Sequence, residues 1–227
     1  MRKLALFDFC ETLVSFQTAD AFVDYVRKRD GNFYMKTLNI VLLVFSKTRL
    51  LELLNKLFKR AGLEKKIKLL QLKGFDFGRL STLGELFYKE MIKPNLIGPL
   101  IKEMQRLMQQ EYEIYIVSAG YSIYLRYFAE EYQITHFIAT EIAFRNTNNR
   151  CKGTISGKDC IHVEKVHRLK KSLPNTFVDY NESIAYSDCI TDLPMLLLTG
   201  RGVVVSRDIS QTWRHNYNLE EIIWKEN

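Results

Sequence analysis

The chain has 227 residues, 47% of them hydrophobic and 26% charged, a globular composition that excludes a disordered or fibrous protein. That length fits one domain, or a core domain carrying a smaller insertion. Four prolines and eleven glycines leave no low-complexity linker, and no repeat recurs at a fixed period.

In chain order, Leu4 to Phe9 reads as a short buried strand closed by an Asp-containing turn. Two basic residues precede it, but Asp8 interrupts the apolar stretch and no small-residue cleavage site follows, so it is not read as a secretory signal. From Thr18 to about Lys93 the pattern turns helical. Asp20 is placed to cap a helix with Phe22, Val23 and Val26 on one face. Leu50, Leu51, Leu54, Leu57 and Phe58 recur at helical spacing, with Gly62 as a stop. The longest charge-free apolar run, Thr37 to Ser46, is far shorter than the ~20 residues that span a bilayer.

Pro94 and Pro99 then open a helix over Leu100 to Gln110, which leads into a strand over Tyr112 to Val117 ending at Ser118-Ala119-Gly120. A helix (Ser122 to Tyr132), a short strand (Phe137 to Ala139), a polar hairpin (Arg145 to Ile161) and a helix (Val163 to Lys171) follow. Asn181 to Tyr186 runs into the acidic turn Ser187-Asp188, and Val203 to Val205 is the last strand expected. Alternation of strand and helix after residue 94 predicts a parallel α/β sheet. The helical stretch before it reads as a separate insert.

The net charge of +7 is unevenly placed. Between Lys36 and Arg79 eleven Lys/Arg stand against three acids, or +8, so the remainder carries about −1. A positive segment facing a site favours anionic substrates, although a solvated helix face is the plainer reading of the same residues. No nucleic-acid recognition motif accompanies the charge. Cys10, Cys151, Cys160 and Cys189 show neither CxxC pairing nor zinc spacing, and read as reduced thiols of a cytoplasmic protein.

Chemistry in open α/β sheets sits at the carboxyl ends of the strands. Each predicted strand end carries a polar group: Asp8, Ser118, and Asp188 with Asp192. Lys165 stands at the head of a helix between them. Taken singly, an Asp after a strand is usually a turn or cap residue. Together, three carboxylates, a hydroxyl and an ammonium at one edge suit a hard cation and a phosphoryl group.

The segments FDFCETL, IYIVSAG, HVEKVHRL and AYSDCITDLPML resemble, in order and spacing, the four motifs of the haloacid dehalogenase superfamily. The helical insert after the first motif and the Gly-Lys-Asp-Cys stretch before Lys165 are most similar to its phosphoserine-phosphatase-like subfamily. The resemblance implies a Rossmann-like α/β core (1–15 and 93–227) with an all-helical cap (16–92). It also implies a Mg²⁺-dependent phosphatase or phosphotransferase acting on a small phosphorylated metabolite. By the same resemblance Asp8 is the nucleophile that forms an aspartyl-phosphate. Asp8, the Cys10 carbonyl and Asp188 hold Mg²⁺, with Asp192 orienting a metal-bound water. Thr12, Ser118, Ala119 and Gly120 contribute to phosphate binding, and Lys165 neutralises charge.

One position departs from the pattern. The second aspartate of the first motif, the family's general acid, is Cys10 here. Three readings stay open: a weakly acidic thiol, a slow enzyme with a long-lived aspartyl-phosphate, and a phospho-ligand-binding or regulatory protein without turnover. Glu11 as a displaced acid and a Cys10–Cys189 disulfide are further alternatives to two small buried thiols. Gln17 occupies the place where the serine-phosphate enzymes carry an ammonium-binding acid, with Asp20 soon after. Phosphoserine is therefore not expected. A sugar phosphate, a nucleotide-linked sugar or a lipid headgroup fits the basic insert better. LNIVLLVF and LLELLNKLF also permit shallow membrane contact, with helix packing as the alternative.

Overall fold

The computed structural model describes residues 2–31, 63–173 and 177–225. Among these, seven strands form one sheet: β1 (Leu4–Phe7), β2 (Glu113–Tyr121), β3 (His136–Phe144), β4 (Cys151–Ser156), β5 (Ile184–Ser187), β6 (Arg201–Arg207) and β7 (Glu220–Trp224). Their spatial order is β4-β3-β2-β1-β5-β6-β7. All neighbours are parallel except β3 and β4, which pair as an antiparallel hairpin.

β1 lies at the centre, and its sequence LALF shows why. A strand covered on both faces needs apolar side chains at every position, and all four residues are fully buried. Because side chains alternate, Leu4 and Leu6 join a cluster with Leu169, Met195 and Leu196, while Ala5 and Phe7 join the larger cluster on the opposite face. Phe7 and Tyr186, partners across β1 and β5, stack with ring centroids 4.4 Å apart. Such a pair adds about 0.5–1.5 kcal/mol beyond its area.

Between β1 and β2 lie α1 (Thr18–Asp30), α2 (Leu63–Leu70), α3 (Phe77–Phe87), a π-helical turn (Tyr88–Ile92) and α4 (Gly98–Gln109). Phe22 of α1 and Phe87 of α3 pack on Tyr124. α2 lies against β4, where Gly153 (φ 73°) admits the Leu70 backbone; a Cβ there would stand 3.0 Å from Leu70 Cα. The remaining helices are α5 (Ser122–Glu131), α6 (Val163–Ser172) and α7 (Leu193–Leu196).

Several expectations change. β7 follows the strand expected to be last; it opens on Glu220-Glu221 and is largely half-exposed, which hid its pattern. β2 runs on through Ser118-Ala119-Gly120 to Tyr121, with an irregular register between Val117 and Tyr121. β3 is longer than the short run expected and forms one arm of the hairpin itself, with β4 as the other. Asp20 does not cap α1: Gln17 holds that position and Asp20 pairs with Lys68. The Leu50–Phe58 helix and the Thr37–Ser46 run lie outside the described residues. No helix among the described residues is long and apolar enough to cross a membrane.

Candidate active site

The carboxyl ends of β1, β2 and β5 meet at one edge of the sheet. Asp8 follows β1 directly, and its N–H donates to Tyr186 O at 2.9 Å, extending the parallel ladder by one bond. The chain then turns tightly. The Leu13 and Val14 amides return to Phe9 O, and Glu11 adopts a left-handed φ of 55°.

Lys165 reaches this edge from the first turn of α6 with its side chain 3% exposed. Its ammonium donates to Asp8 Oδ1 at 2.7 Å and to Asp192 Oδ2 at 2.5 Å. Ser187 Oγ donates to the same Asp192 oxygen at 2.7 Å. A buried ammonium persists only when its charge is compensated. Burial opposes the charge on Lys165, but Asp8 and Asp192 outweigh it and hold its pKa above the ordinary range. The Asp8 carboxyl is pushed up to about 6, chiefly by burial, with Lys165 opposing and Asp192 adding to the rise.

Asp188 is gripped from the β1 side: Thr12 Oγ1 donates to Asp188 Oδ1 at 3.1 Å and accepts the Asp188 N–H at 3.0 Å. Burial, and next the charge of Asp8, push its carboxyl up to about 8 against the Thr12 hydrogen bond.

A cavity of about 110 Å³ opens on these groups, lined by Asp8, Cys10, Gln17, Ala119, Lys165, Asp188 and Asp192, together with Ile161, Cys189 and Thr191. Thr12, Ser118 and Gly120 stand one layer behind it. Ser118 Oγ accepts the Gly120 N–H at 2.9 Å. Gly120 has no room for a side chain, since a Cβ would meet Tyr124 OH at 2.8 Å and Thr18 Oγ1 at 3.1 Å. Gln17 donates its amide to Glu11, which holds that carboxylate outside the cavity lining.

Cys10 is part of a buried chain that the sequence did not announce. Tyr124 OH accepts the Tyr121 N–H at 2.9 Å and shares a hydrogen bond with Thr18 Oγ1 at 2.8 Å. Thr18 Oγ1 lies 3.0 Å from Cys10 Sγ. Burial first, and then Asp8, raise the Cys10 thiol to about 11, with Thr18 opposing, so it keeps its proton at neutral pH. All four cysteines are free thiols.

The family model of haloacid dehalogenase-like hydrolases matches residues 5–197, a span that holds every group just described. The chain belongs to this family. No curated protein sequence is similar enough to count as a relative. Solved structures do resemble it. A protein of unknown function from Bordetella pertussis Tohama I shares 21% identity at a TM-score of 0.76, each chain covered to 98%. A HAD family hydrolase from Salmonella enterica serovar Typhi shares 15% at 0.65, over 97% of this chain and 66% of that one. A phospho-aspartyl intermediate analogue of phosphoserine phosphatase shares 15% at 0.63, over 98% and 93%. At these identities the likeness is one of fold.

Haloacid dehalogenase-like phosphatases are generally metal-dependent. Among the described residues no group of three or more His, Cys, Asp or Glu side chains is placed to hold a metal ion. Oxygen donors that share the cavity include the Asp8 and Asp188 carboxylates. This hard oxygen set suits Mg²⁺, which takes one or two carboxylates and fills its remaining positions with water and phosphate. Burial raises both carboxyls first, and a bound cation would offset that cost.

Proposed function

We propose that the protein is a Mg²⁺-dependent phosphomonoester hydrolase that acts on a small phosphorylated metabolite through a phosphoryl-Asp8 intermediate. The observation that carries this reading is the buried Lys165 bridge between Asp8 and Asp192 on a cavity shared with Asp188.

An Asp8 oxygen attacks phosphorus, the bond to the leaving oxygen breaks with its electron pair, and water later cleaves the acyl phosphate. Lys165 neutralises charge on Asp8 and the incoming phosphoryl group. Ser118 and the amides of Ala119 and Gly120 take its outer oxygens, which requires Ser118 to release the Gly120 N–H. Bound Mg²⁺, held by Asp8, Asp188 and the Cys10 carbonyl with Asp192 behind them, would offset the phosphoryl charge, the main demand of such transfers. The described helices α1, α2 and α3 serve as cap helices beside this edge, and four free thiols favour a cytoplasmic location.

Cys10 sets the pace. A thiol raised to about 11 is a far weaker acid than a carboxyl and offers no base to the water that cleaves the acyl phosphate, so turnover is slow even when the leaving group needs no proton. General acid–base help is worth roughly 10²–10⁴ in rate. The same observation favours a second reading, a phospho-ligand-binding protein without turnover.

Hydrolysis of p-nitrophenyl phosphate, whose leaving group needs no proton, tests both. A Mg²⁺-dependent rate that EDTA and Asp8→Asn abolish, and that Cys10→Asp raises, supports the slow enzyme. Phosphate binding without hydrolysis in wild type and Cys10→Asp supports the second reading. The described basic residues also narrow the substrate argument, because Lys65, Lys68 and Arg79 each pair with a local acid. A lipid-headgroup substrate predicts co-sedimentation with anionic liposomes at low salt, and a sugar phosphate or nucleotide-linked sugar predicts none.

A further inference from the structure

We infer that Lys65 is a positioning residue that sets the phosphate-binding loop from helix α2, an inference that rests on the phosphatase reading above. A lysine ammonium has three N–H donors and no acceptor, so its partners define its role. Lys65 donates to Ala119 O at 3.0 Å and to both Asp159 oxygens at 2.8 Å. It also stands 5.5 Å from the centroid of the Tyr121 ring. The Lys65 and Asp159 side chains are each 22% exposed.

Asp159 is itself fixed. Thr140 Oγ1 of β3 donates to it at 2.6 Å and accepts the Cys160 N–H at 3.1 Å. The pair is therefore anchored on the sheet and on the turn that leads to α6, the helix carrying Lys165.

A partly exposed ion pair contributes little by itself. The contact to Ala119 gives this one a consequence. The peptide between Ala119 and Gly120 is held at both ends, its carbonyl by Lys65 and its N–H by Ser118 Oγ. Thr18 and Tyr124 close on Gly120 and leave no space for the loop to shift that way. Ala119 lines the cavity beside Asp8, so turning this peptide turns the Gly120 N–H that meets a phosphoryl group once Ser118 releases it. Lys65 is the restraint contributed by α2, and it couples the placement of that helix to the readiness of the loop.

The test is calorimetric titration of inorganic phosphate in Mg²⁺ for wild type, Lys65→Met, Lys65→Arg and Asp159→Asn. Kinetics on p-nitrophenyl phosphate and melting temperatures are measured in parallel. Lys65→Met is expected to raise the phosphate Kd and the KM about tenfold, the size of one lost hydrogen bond, while kcat changes less than about threefold. Lys65→Arg restores most of the binding. Asp159→Asn lowers the melting temperature as Lys65→Met does but keeps the phosphate Kd within about twofold, because Lys65 still reaches Ala119. An unchanged Kd in Lys65→Met with a lowered melting temperature would reduce Lys65 to an ordinary ion pair and overturn the inference. So would a Kd in Asp159→Asn that matches Lys65→Met. Wild type that binds phosphate without hydrolysing it overturns the hydrolase reading alone, since the Kd comparison still decides the role of Lys65. Wild type that does neither overturns both.

Discussion

The Lys165 ammonium lies 2.7 Å from Asp8 Oδ1, and both side chains are nearly wholly buried, at 3% and 8% exposure. Asp192 adds a second carboxylate on the other side of the ammonium. Removing one partner of a buried pair leaves an uncompensated charge, which typically costs about 3–5 kcal/mol. Lys165→Met is therefore expected to lose stability of that order in urea unfolding at pH 7, together with all phosphatase activity. A loss below about 1 kcal/mol would show that the two carboxylates do not depend on this lysine.

Asp188 predicts the opposite sign. Its carboxyl is raised to about 8, by burial first and by Asp8 second. A carboxyl raised in the fold favours the folded state while protonated. That stability is present below its unfolded pKa, near ~4, and is lost as pH climbs from there to about 8. In EDTA, Asp188→Asn should melt above wild type at pH 8 by at least about 3 °C, with the gap closing near pH 4. Added Mg²⁺ should raise wild type and leave the variant unmoved. Equal melting curves at pH 8 would remove the argument that a cation is needed between Asp8 and Asp188.

Gly120 offers a steric test. A Cβ at this position meets the Tyr124 hydroxyl first, at 2.8 Å. Gly120→Ala should cost roughly 1–3 kcal/mol, the usual range for overpacking, and most of the activity. Tyr124→Phe alone should cost about 1 kcal/mol for its lost hydrogen bonds. Combined with Gly120→Ala it should recover part of the loss, a coupling that a double-mutant cycle measures. Additive effects would place the obstruction elsewhere.

Glu221 of β7 accepts from Ser206 and Ser210 at 2.6 Å each, from the Gln211 N–H at 2.8 Å, and pairs with Arg214 at 2.9 Å. Burial alone would raise its carboxyl, but these partners outweigh burial and lower it to about 2. A depressed carboxyl stabilises the fold above its ordinary pKa, and that contribution fades as pH falls toward about 2. Glu221→Gln should melt at least about 3 °C below wild type at pH 7, with the difference shrinking below pH ~4. A gap that stays constant with pH would assign the effect to packing.

The central strands were readable because burial on both faces demands apolar runs, as in LALF and IYIV, and because Asp8 and Asp188 stand directly after β1 and β5. What escaped is non-local. β7 reads as polar because Glu221 finds its partners only after Ser206, Ser210 and Arg214 fold around it. Asp20 has the composition of a cap, yet a lysine 48 positions away claims it. Gly120 suggested the end of a strand, whereas the extended backbone continues to Tyr121 with the glycine making room for Tyr124. The link from Cys10 through Thr18 to Tyr124 joins positions with no shared spacing. No pattern along the chain could have announced it.

The central place of β1 also governs the order in which the chain can fold during synthesis. Leu4 pairs with Glu113 and Ala5 with Ile184, so this strand is made before both of its neighbours by more than a hundred residues. At ~5–20 residues per second, β1 waits on the order of 5–20 s for β2 and about 10–40 s for β5 to leave the ribosome. Throughout that interval an apolar four-residue strand has no sheet to join. Asp8 next to it gains its backbone bond to Tyr186 only when β5 arrives.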